Sequence, residues 1–453
     1  MNLHFGAYGI AVGALLTAKL LLSIPRPRLR RRPASTRRPA PAGLTIHAVI
    51  TAYNEAPEML FRCLESLLGQ TRRPHSVTVV DDCSTDPHAV ARIIGHLAPQ
   101  FHAAGIELGL IRFPVNRGKR HGLAAGFNAH RDAGAYLCVD SDTIVAPNAV
   151  AELAAPLTRR RVHSVTGLVL AHNRTKNLLT RLIDMRYVNA FLGERVAYSR
   201  LGSVLCACGS LAMYRGWVVR KHLGNFLQQR FLGQPATFGD DRRLTYYCLL
   251  EGQSLIAPTA IGWTDVPETL GHYVRQQIRW GKSFIREGVL LLAKVRLIGR
   301  ACWWLNLLEL TTWVGFTAGL LTALAITALH PADWRILTGY ALWVCAMAWV
   351  RSLHYLRRAP GVPVAERLGT FACAPLYALL NLGLLLPLRL WSLATLRRNG
   401  WGTRQRVEIS AAIPAQGPAP ARSDARLGED TVQLHKLYDP LDATTLEVAV
   451  PRR

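Results

Sequence analysis

Long apolar runs at both ends of the chain restrict its fold more than any other feature. Residues Gly6 to Ile24 form an apolar stretch about long enough to cross a bilayer, and more apolar runs lie between about 300 and 396. The residues between these regions alternate short apolar runs with helical patterns, which is typical of an α/β domain. The sequence therefore predicts a soluble domain of roughly 250 residues carried on membrane helices.

The basic residues lie mainly beside the apolar runs. A formal net charge of +25 would suit a nucleic-acid-binding protein if the charges formed one soluble patch. Many of them instead follow the first run, at Arg26, Arg28, Arg30, Arg31, Arg32, Arg37 and Arg38, or the last, at Arg397, Arg398, Arg404 and Arg406. This placement indicates contact with membrane lipids and a cytosolic soluble domain, without nucleic-acid binding. Because the arginines follow the first run, we expect a retained anchor.

Changes in composition divide the chain into seven predicted segments. They are an N-terminal transmembrane anchor (1–25), a basic Pro/Arg linker (26–43), the soluble domain (44–282), an interfacial amphipathic helix (283–301), transmembrane helices (302–399), a Trp/Arg loop (400–406) and a disordered tail (407–453). The later spans are placed near Trp303–Leu329, Trp334–Val350 and Phe371–Leu396. We therefore expect a multi-pass protein of the cell membrane.

Carboxylates directly follow two predicted strands of the soluble domain. SVTVVDD ends in Asp81 and Asp82, and AYLCVDSDT contains Asp140 and Asp142. The carboxyl ends of parallel strands meet at one edge of a sheet, so these side chains are expected to share a cleft. An Asp-x-Asp pair there can hold a divalent metal on a sugar nucleotide's diphosphate, and we assign the metal to Asp142. A solvated turn is the alternative.

Asp81 and Asp82 have two possible roles. They can accept hydrogen bonds from a uracil or ribose, or they can belong to the N-terminal cap of the next helix. Nearby, NRGKRHG carries Lys119 and Arg120 on a glycine-flanked loop that can close over phosphates. A surface patch is the alternative for that loop.

Two later motifs offer groups for the acceptor side of a transfer reaction. FGDDRRLT opens a predicted helix with Asp240 and Asp241, of which we favour Asp241 as general base; charges that suit the helix dipole are the alternative. RQQIRWGKS places Gln276, Arg279 and Trp280 at helical spacing. They can bind sugar hydroxyls, a diphosphate and a pyranose face, respectively, although a tryptophan at a membrane interface is an equally ordinary use.

With these motifs in this order, the chain resembles the bacterial, streptococcal-type hyaluronan synthases, which are membrane-integrated, processive family 2 glycosyltransferases. The resemblance runs from about Leu44 to Arg404. It includes ITAYNE, VVDDCST, NRGKRHG, VDSDT, FGDDRRLT, TDVPETL, QQIRWGKSFIRE and WGTR. The chain departs from the relatives in having one apolar run before the soluble domain, where many have two. It also carries Ser210 where they usually have a proline.

The resemblance implies a cytosolic α/β domain of the GT-A type (Rossmann-like) on membrane helices that pass the growing polysaccharide. UDP-GlcA and UDP-GlcNAc would be added alternately with inversion, with Mg²⁺ or Mn²⁺ at Asp142 and Asp241 as base. Asp240, Gln276, Arg279 and Trp280 would complete the catalytic end. The nucleotide-sugar site would comprise Tyr53, Glu55, Asp81, Asp82, Lys119, Arg120 and Asp140, with Trp401 and Arg404 on a closing loop.

Two other functions compete with this interpretation. One is a related synthase of a single-sugar β-linked polymer or oligosaccharide, either chitin-like or poly-N-acetylglucosamine. The other is a catalytically silent membrane scaffold, which would be expected to lose at least one of the acidic or Gln-x-x-Arg-Trp positions. The sequence leaves the oligomeric state open.

Overall fold

A mixed sheet of ten strands forms the centre of the molecule. The computed structural model describes residues 2–24, 43–86, 88–236, 238–294, 296–330, 334–397, 433–439 and 442–450. The sheet strands are β1 (Ile46–Ala52), β2 (Ser76–Asp81), β3 (Glu107–Arg112), β4 (Ala135–Asp140), β5 (Ile144–Val145), β6 (Val162–Ala171), β7 (Leu211–Arg215), β10 (Gln253–Thr264), β11 (Gln433–Asp439) and β12 (Asp442–Val450). Their order is β11-β12-β3-β2-β1-β4-β7-β6-β10-β5, and β8 (Arg230–Phe231) pairs separately with β9 (Gln234–Pro235).

Parallel pairing holds in one half of the sheet. β2 and β4 flank β1 in parallel, and β3 continues the parallel order beyond β2. Side chains of β1 and β2 are buried on both faces, as their continuous apolar runs predict. The parallel order expected of an α/β domain does not extend to β7, which lies antiparallel between β4 and β6. A helical excursion precedes β7 and returns the chain to the edge where β4 ends, so Leu211 pairs with Val139.

Helices cover the sheet. Those of the soluble domain are α2 (Pro57–Leu68), α3 (Ala89–Ala103), α4 (Lys119–Ala129), α5 (Ala149–Ala154), α6 (Leu178–Val188), α7 (Val196–Arg200), α8 (Gly216–Leu227) and α9 (Asp240–Glu251). A π-helix, Asn189–Arg195, joins α6 to α7. In α2 the buried residues are Leu60, Cys63, Leu64 and Leu67, a helical spacing that turns one apolar face to the core.

The other helices precede or follow the soluble domain. They are α1 (Asn2–Ser23) at the N-terminus, α10 (Leu270–Leu292), α11 (Arg300–Leu329), α12 (Trp334–Arg358), α13 (Val364–Ala372), α14 (Ala374–Leu380) and α15 (Leu386–Ala394). α14 and α15 are joined through the π-helix Asn381–Leu385. Within the described ranges, α11 and the helical run Ala374–Ala394 are long and apolar enough to cross a membrane, and α1 contributes a shorter apolar segment, Gly9–Ser23. The predicted span in α12 does not meet the same requirement.

Two predicted boundaries differ from the observed elements. The boundary placed after residue 282 falls inside α10, because the Arg-Trp motif and the expected interfacial helix form one continuous helix. The tail expected to be disordered contains a hairpin, β11 and β12, of which β12 pairs antiparallel with the edge strand β3. An unpaired strand edge offers free backbone groups, which explains how a distant segment adds to it. The 26–42 part of the linker and residues 407–432 lie outside the described residues.

Candidate active site

A cavity of about 840 Å³ lies where the sheet edge meets the long helices. Its lining brings together most of the predicted site residues: Tyr53, Glu55, Asp82, Lys119, Asp140, Asp142, Asp240, Asp241, Gln276, Arg279 and Trp280. Side chains of α1, α11, α12, α14 and α15 line the same space. Asp81 and Arg120 are not in the lining, and Trp401 and Arg404 lie outside the described residues.

Asp140 is held between two donors at the end of β4. Lys119, the first residue of α4, forms an ion pair with its Oδ1 atom. The hydroxyl of Ser210 donates to its Oδ2 atom over 2.8 Å. Burial alone would lower the pKa of Lys119, but the Asp140 carboxylate outweighs it and raises that pKa above its ordinary value. Lys119 therefore stays charged where a diphosphate would need a cation.

Asp142 supplies a buried carboxylate two residues further on. Its Oδ1 atom accepts a hydrogen bond from the Thr264 hydroxyl over 3.0 Å. Between the two acids, Ser141 donates to Glu55 over 2.7 Å, which ties the DSDT segment to the ITAYNE motif. Carboxylate and hydroxyl oxygens are the ligands that hard divalent cations prefer, so the chemistry of this donor set fits Mg²⁺ or Mn²⁺.

Asp82 and Asp81 serve different purposes although they are adjacent. The carboxylate of Asp82 accepts from the backbone N–H groups of Arg117 and Gly118, over 2.7 and 2.8 Å. Burial raises the pKa of Asp82, and those two N–H groups partly oppose the effect. Asp81 instead accepts from Ser84 N and from the Arg112 guanidinium, away from the cavity. Asp81 is absent from the cavity lining, so this geometry gives its predicted contact with the nucleotide no support.

Arg120 also differs from its predicted role. Its side chain is 6% exposed, and its Nε atom donates to Asp240 over 2.9 Å. A second donor of the guanidinium binds the Ala236 carbonyl. Lys119 and Arg120 open α4, where successive side chains point in different directions around the helix axis. Lys119 therefore reaches the cavity, whereas Arg120 supports the start of α9 from inside the fold.

The first turn of α9 places Asp241 in the cavity. The preceding Gly239 has φ +90°, a left-handed conformation, and a Cβ there would lie 2.2 Å from the Ser283 hydroxyl. Asp241 accepts from the Cys206 thiol at 3.4 Å. A Cβ added at Gly209 would lie 3.5 Å from the Asp241 Cβ, 3.7 Å from Lys119 Nζ and 4.0 Å from Asp140 Oδ1. Gly209 thus marks the point where the acidic and basic groups converge.

A buried ion pair fixes α9 against α10. The Arg243 guanidinium binds Glu287 through two bonds, of 2.5 and 3.0 Å. Since Asp241 lies on α9 and Trp280 on α10, this pair sets the distance between the proposed base and the aromatic side chain. Arg-carboxylate pairs with two parallel bonds are geometrically restrictive, so the two helices are held as one unit.

Trp280 presents its ring at the cavity wall. The indole is 40% exposed, the Arg186 guanidinium lies 5.5 Å from its centroid, and the Tyr187 ring lies 6.2 Å away. Further along, the lining contains more cations than acids among its charged residues: Lys19, Arg186, Arg195, Arg351 and Arg389 against Glu194 and Glu309. The cavity is therefore acidic at the strand ends and basic among the helices.

Several cavity residues were missed by the sequence reasoning. The sequence motifs gave no role to Cys206, Gly209, Arg186 or Tyr187. Ser210 was noticed only as a departure from relatives, and its bond to Asp140 could not be inferred. The one available signal was ACGSLAMYR itself, a run of small residues directly before β7. Small residues at the end of a strand indicate close approach of another group.

This arrangement suits transfer of a sugar from a nucleotide. Carboxylates and a lysine are placed for a metal-bound diphosphate, a carboxylate stands nearby for proton removal, and an indole offers an apolar face to a pyranose. The fold and the site define a GT-A-type glycosyltransferase. Comparison with known proteins agrees: the profile of the family described as "Glycosyltransferase like family 2" matches residues 41–283. The chain belongs to that family and is a hyaluronan synthase-like UDP-sugar glycosyltransferase.

Three proteins illustrate the similarity. A hyaluronan synthase of Streptococcus pyogenes is 35% identical over 404 residues, which are 89% of this chain and 92% of that protein. An N-acetylglucosaminyltransferase of Mesorhizobium japonicum is 34% identical over 363 residues, 80% of this chain and 82% of that one. A crystal structure of GalNAc-T7 with UDP, GalNAc and Mn²⁺ has 14% identity and a TM-score of 0.38, covering 53% of this chain and 51% of that chain.

Proposed function

We propose that this enzyme polymerises UDP-GlcA and UDP-GlcNAc into hyaluronan by metal-dependent, inverting transfer, and passes the chain outward between its own membrane helices. It would lie in the cell membrane as a multi-pass protein with the catalytic domain in the cytosol. The observation that carries the proposal is the single cavity, which runs from the strand-end carboxylates past Trp280 to side chains of α11, α12 and α15. A processive synthase needs such a continuous path.

The donor would bind at the acidic end. Asp82, ordered by two backbone N–H groups, would take the nucleoside, and Lys119 would lie against the diphosphate. Asp142 would hold Mg²⁺ or Mn²⁺, which supplies positive charge that stabilises the departing diphosphate. Arg279 on α10 would add a second cation on the side of the departing group.

The acceptor would approach from the helices. Trp280 would pack against the terminal sugar ring, with Gln276 bonding its hydroxyls. Asp241 would remove the proton of the attacking hydroxyl, so the new bond forms as the diphosphate leaves. Asp241, Lys119 and Asp140 all lie close to Gly209, so the base and the leaving-group contacts would share one small space.

An alternating, acidic product is favoured by the basic lining of the helical part. Lys19 is already paired with Glu309, and Arg351 with Glu194. The excess positive charge of this lining therefore comes from Arg186, Arg195 and Arg389. A chain carrying carboxylates would compensate that excess, and a neutral chain would not. The competing function is a single-sugar polymer or oligosaccharide of N-acetylglucosamine, which the similarity to the rhizobial N-acetylglucosaminyltransferase favours.

An assay on membranes that contain the enzyme distinguishes these two functions. UDP-GlcNAc and UDP-GlcA are supplied singly and together, with Mg²⁺ or Mn²⁺, and the product is treated with hyaluronidase. Hyaluronidase-sensitive polymer only when both donors are present supports the proposal. Polymer from UDP-GlcNAc alone supports the single-sugar alternative. Full activity after chelation of divalent cations would overturn the metal dependence.

A further inference from the structure

Three potential metal ligands lie together at the edge of the sheet opposite the cavity. His47 is the second residue of β1, and His130 and Asp132 follow the end of α4. One ligand atom from each of the three residues lies within 4.8 Å of the others. Because β1 rises about 3.3 Å per residue from His47 to Ala52, the group is roughly 17 Å from the nucleotide end of the cavity.

One nitrogen of His47 is buried without a partner. The residue is 6% exposed, its Nδ1 atom lies 2.6 Å from the Ser76 hydroxyl, and its Nε2 atom has no hydrogen-bond partner among the described residues. Leaving such an atom unsatisfied costs free energy. If Nδ1 donates to Ser76, Nε2 carries a lone pair, which is the state of a histidine that binds metal through one nitrogen and is oriented through the other.

The second histidine is oriented by the same hydroxyl. His130 Nε2 lies 3.0 Å from Ser76 Oγ and 3.2 Å from Thr78 Oγ1. His130 is also the C-terminal capping residue of α4, where the helix dipole favours a cation. Asp132 adds a carboxylate from the exposed loop before β4. Two imidazoles and one carboxylate suit Zn²⁺ or Co²⁺ better than Mg²⁺.

We propose that His47, His130 and Asp132 form a second metal site, for a divalent transition metal of the Zn²⁺ class with water at the fourth position. Ligands of tetrahedral zinc are about 3.4 Å apart, so the three atoms must draw closer. The imidazoles are stacked, with centroids 4.3 Å apart and planes at 19°. The half-buried His130 and the exposed Asp132 turn toward His47, which stays fixed in β1.

The site would act as a brace on α4. Its ligands join the C-terminal end of that helix to β1, while Lys119 at the other end, about 16 Å away, binds Asp140. Metal that binds only the folded state raises stability by RT ln(1 + c/Kd), where c is the free metal concentration, so the thermal midpoint rises with c. The proposal is independent of the catalytic metal and of the polymer.

The test uses the full-length chain, purified in detergent through a tag without histidines. Zn²⁺ is titrated in excess Mg²⁺, and bound zinc and the thermal midpoint are measured. Asp132→Asn and His130→Gln change the proposed ligands, and Asp132 is exposed, so its variant is expected to fold. His96→Gln, an exposed histidine of α3, is the matched control, and Asp142→Asn reports any zinc held in the catalytic cavity.

We expect one equivalent of zinc and a raised midpoint in the wild type, the His96 variant and the Asp142 variant. Zinc affinity should fall at least about tenfold in the Asp132 and His130 variants, which lose the shift in midpoint. The proposal is overturned if the wild type retains no stoichiometric zinc. It is equally overturned if Asp142→Asn removes the zinc while Asp132→Asn keeps it.

Discussion

The two ends of the cavity are built from different elements and carry opposite charge. At the end proposed to bind the nucleotide, Asp82, Asp140 and Asp142 follow strand ends and are fixed by backbone N–H groups, hydroxyls and one lysine. At the end proposed to bind the acceptor, Trp280 and Arg186 belong to helices and touch each other through a cation–π contact. Strand ends hold a small ligand rigidly, whereas stacked rings and guanidinium groups tolerate a chain that must advance. Changes at one end should therefore leave the other end's binding intact.

The largest effect is expected at the junction of the two ends. Asp241→Asn should reduce polymer formation at least about a thousandfold, because an amide cannot take the acceptor proton. UDP affinity should be nearly unchanged, since Asp82 and Lys119 remain. Polymer synthesis and UDP binding are measured on the same membranes. A fully active variant would remove Asp241 from the role of base.

The acceptor end alone is tested by Trp280→Ala. Loss of the ring should reduce elongation on the order of a hundredfold by misplacing the acceptor. Release of UDP by hydrolysis of the donor should continue, because the carboxylate end is untouched. Trp304→Ala, an exposed tryptophan of α11 outside the cavity lining, is the matched control. Equal loss of elongation and hydrolysis would contradict the separation of the two ends.

Adjacent residues Lys119 and Arg120 should give opposite phenotypes. Arg120→Leu leaves Asp240 buried without its partner, which is expected to cost about 3 kcal/mol and lower the thermal midpoint. Lys119→Leu should leave the midpoint close to that of wild type and weaken UDP binding. Thermal unfolding and UDP titration of both variants are compared. If Arg120→Leu weakened UDP binding with an unchanged midpoint, the buttress role would be wrong.

Ser210 tests how closely Asp140 must be held. Ser210→Ala removes one hydrogen bond to a charged carboxylate, and we expect KM for the UDP-sugar to rise about tenfold with a smaller change in kcat. Ser210→Thr keeps a hydroxyl and should restore most of the affinity. KM and kcat of the two variants are compared with those of the wild type by steady-state kinetics. An unchanged KM in the alanine variant would show that Lys119 suffices to hold Asp140.

The smallest effect concerns pH and lies outside the catalytic groups. Burial raises the pKa of Asp184 on α6 to about 6, although the hydrogen bond that its carboxylate accepts from Ala171 N lowers the pKa in part. The folded protein then holds more protons than the unfolded chain between pH of about 4 and 6, so this group's contribution to stability falls as the pH rises through that window.

Asp184→Asn should remove this dependence and raise stability at pH 7.5 on the order of 1 kcal/mol, since an amide oxygen can still accept from Ala171. Thermal midpoints of wild type and variant are compared at pH 4.5 and 7.5. A variant less stable than wild type at pH 7.5 would contradict the assigned burial cost.

Much of the nucleotide end could be predicted from the sequence because its residues directly follow buried strands. Asp82, Asp140 and Asp142 come at or just after the ends of continuous apolar runs. The direction of the parallel strands determines the edge of the sheet at which these ends meet. The start of α9 at Asp240 was likewise predicted, from paired acids before a helical pattern. Asp81 and Arg120 lie outside the cavity lining because a motif does not specify the direction of its side chains.

By itself, the sequence determined the α/β domain, the apolar helices and the residues that could bind a nucleotide sugar, because periodicity and charge next to apolar runs are local properties of the chain. Only the tertiary structure decided which charges meet. The antiparallel insertion of β7 brings Ser210 and Gly209 to Asp140, and the Arg243–Glu287 pair sets Asp241 against Trp280. These contacts join residues distant in the chain, so the packing of the sheet against the helices is what creates them.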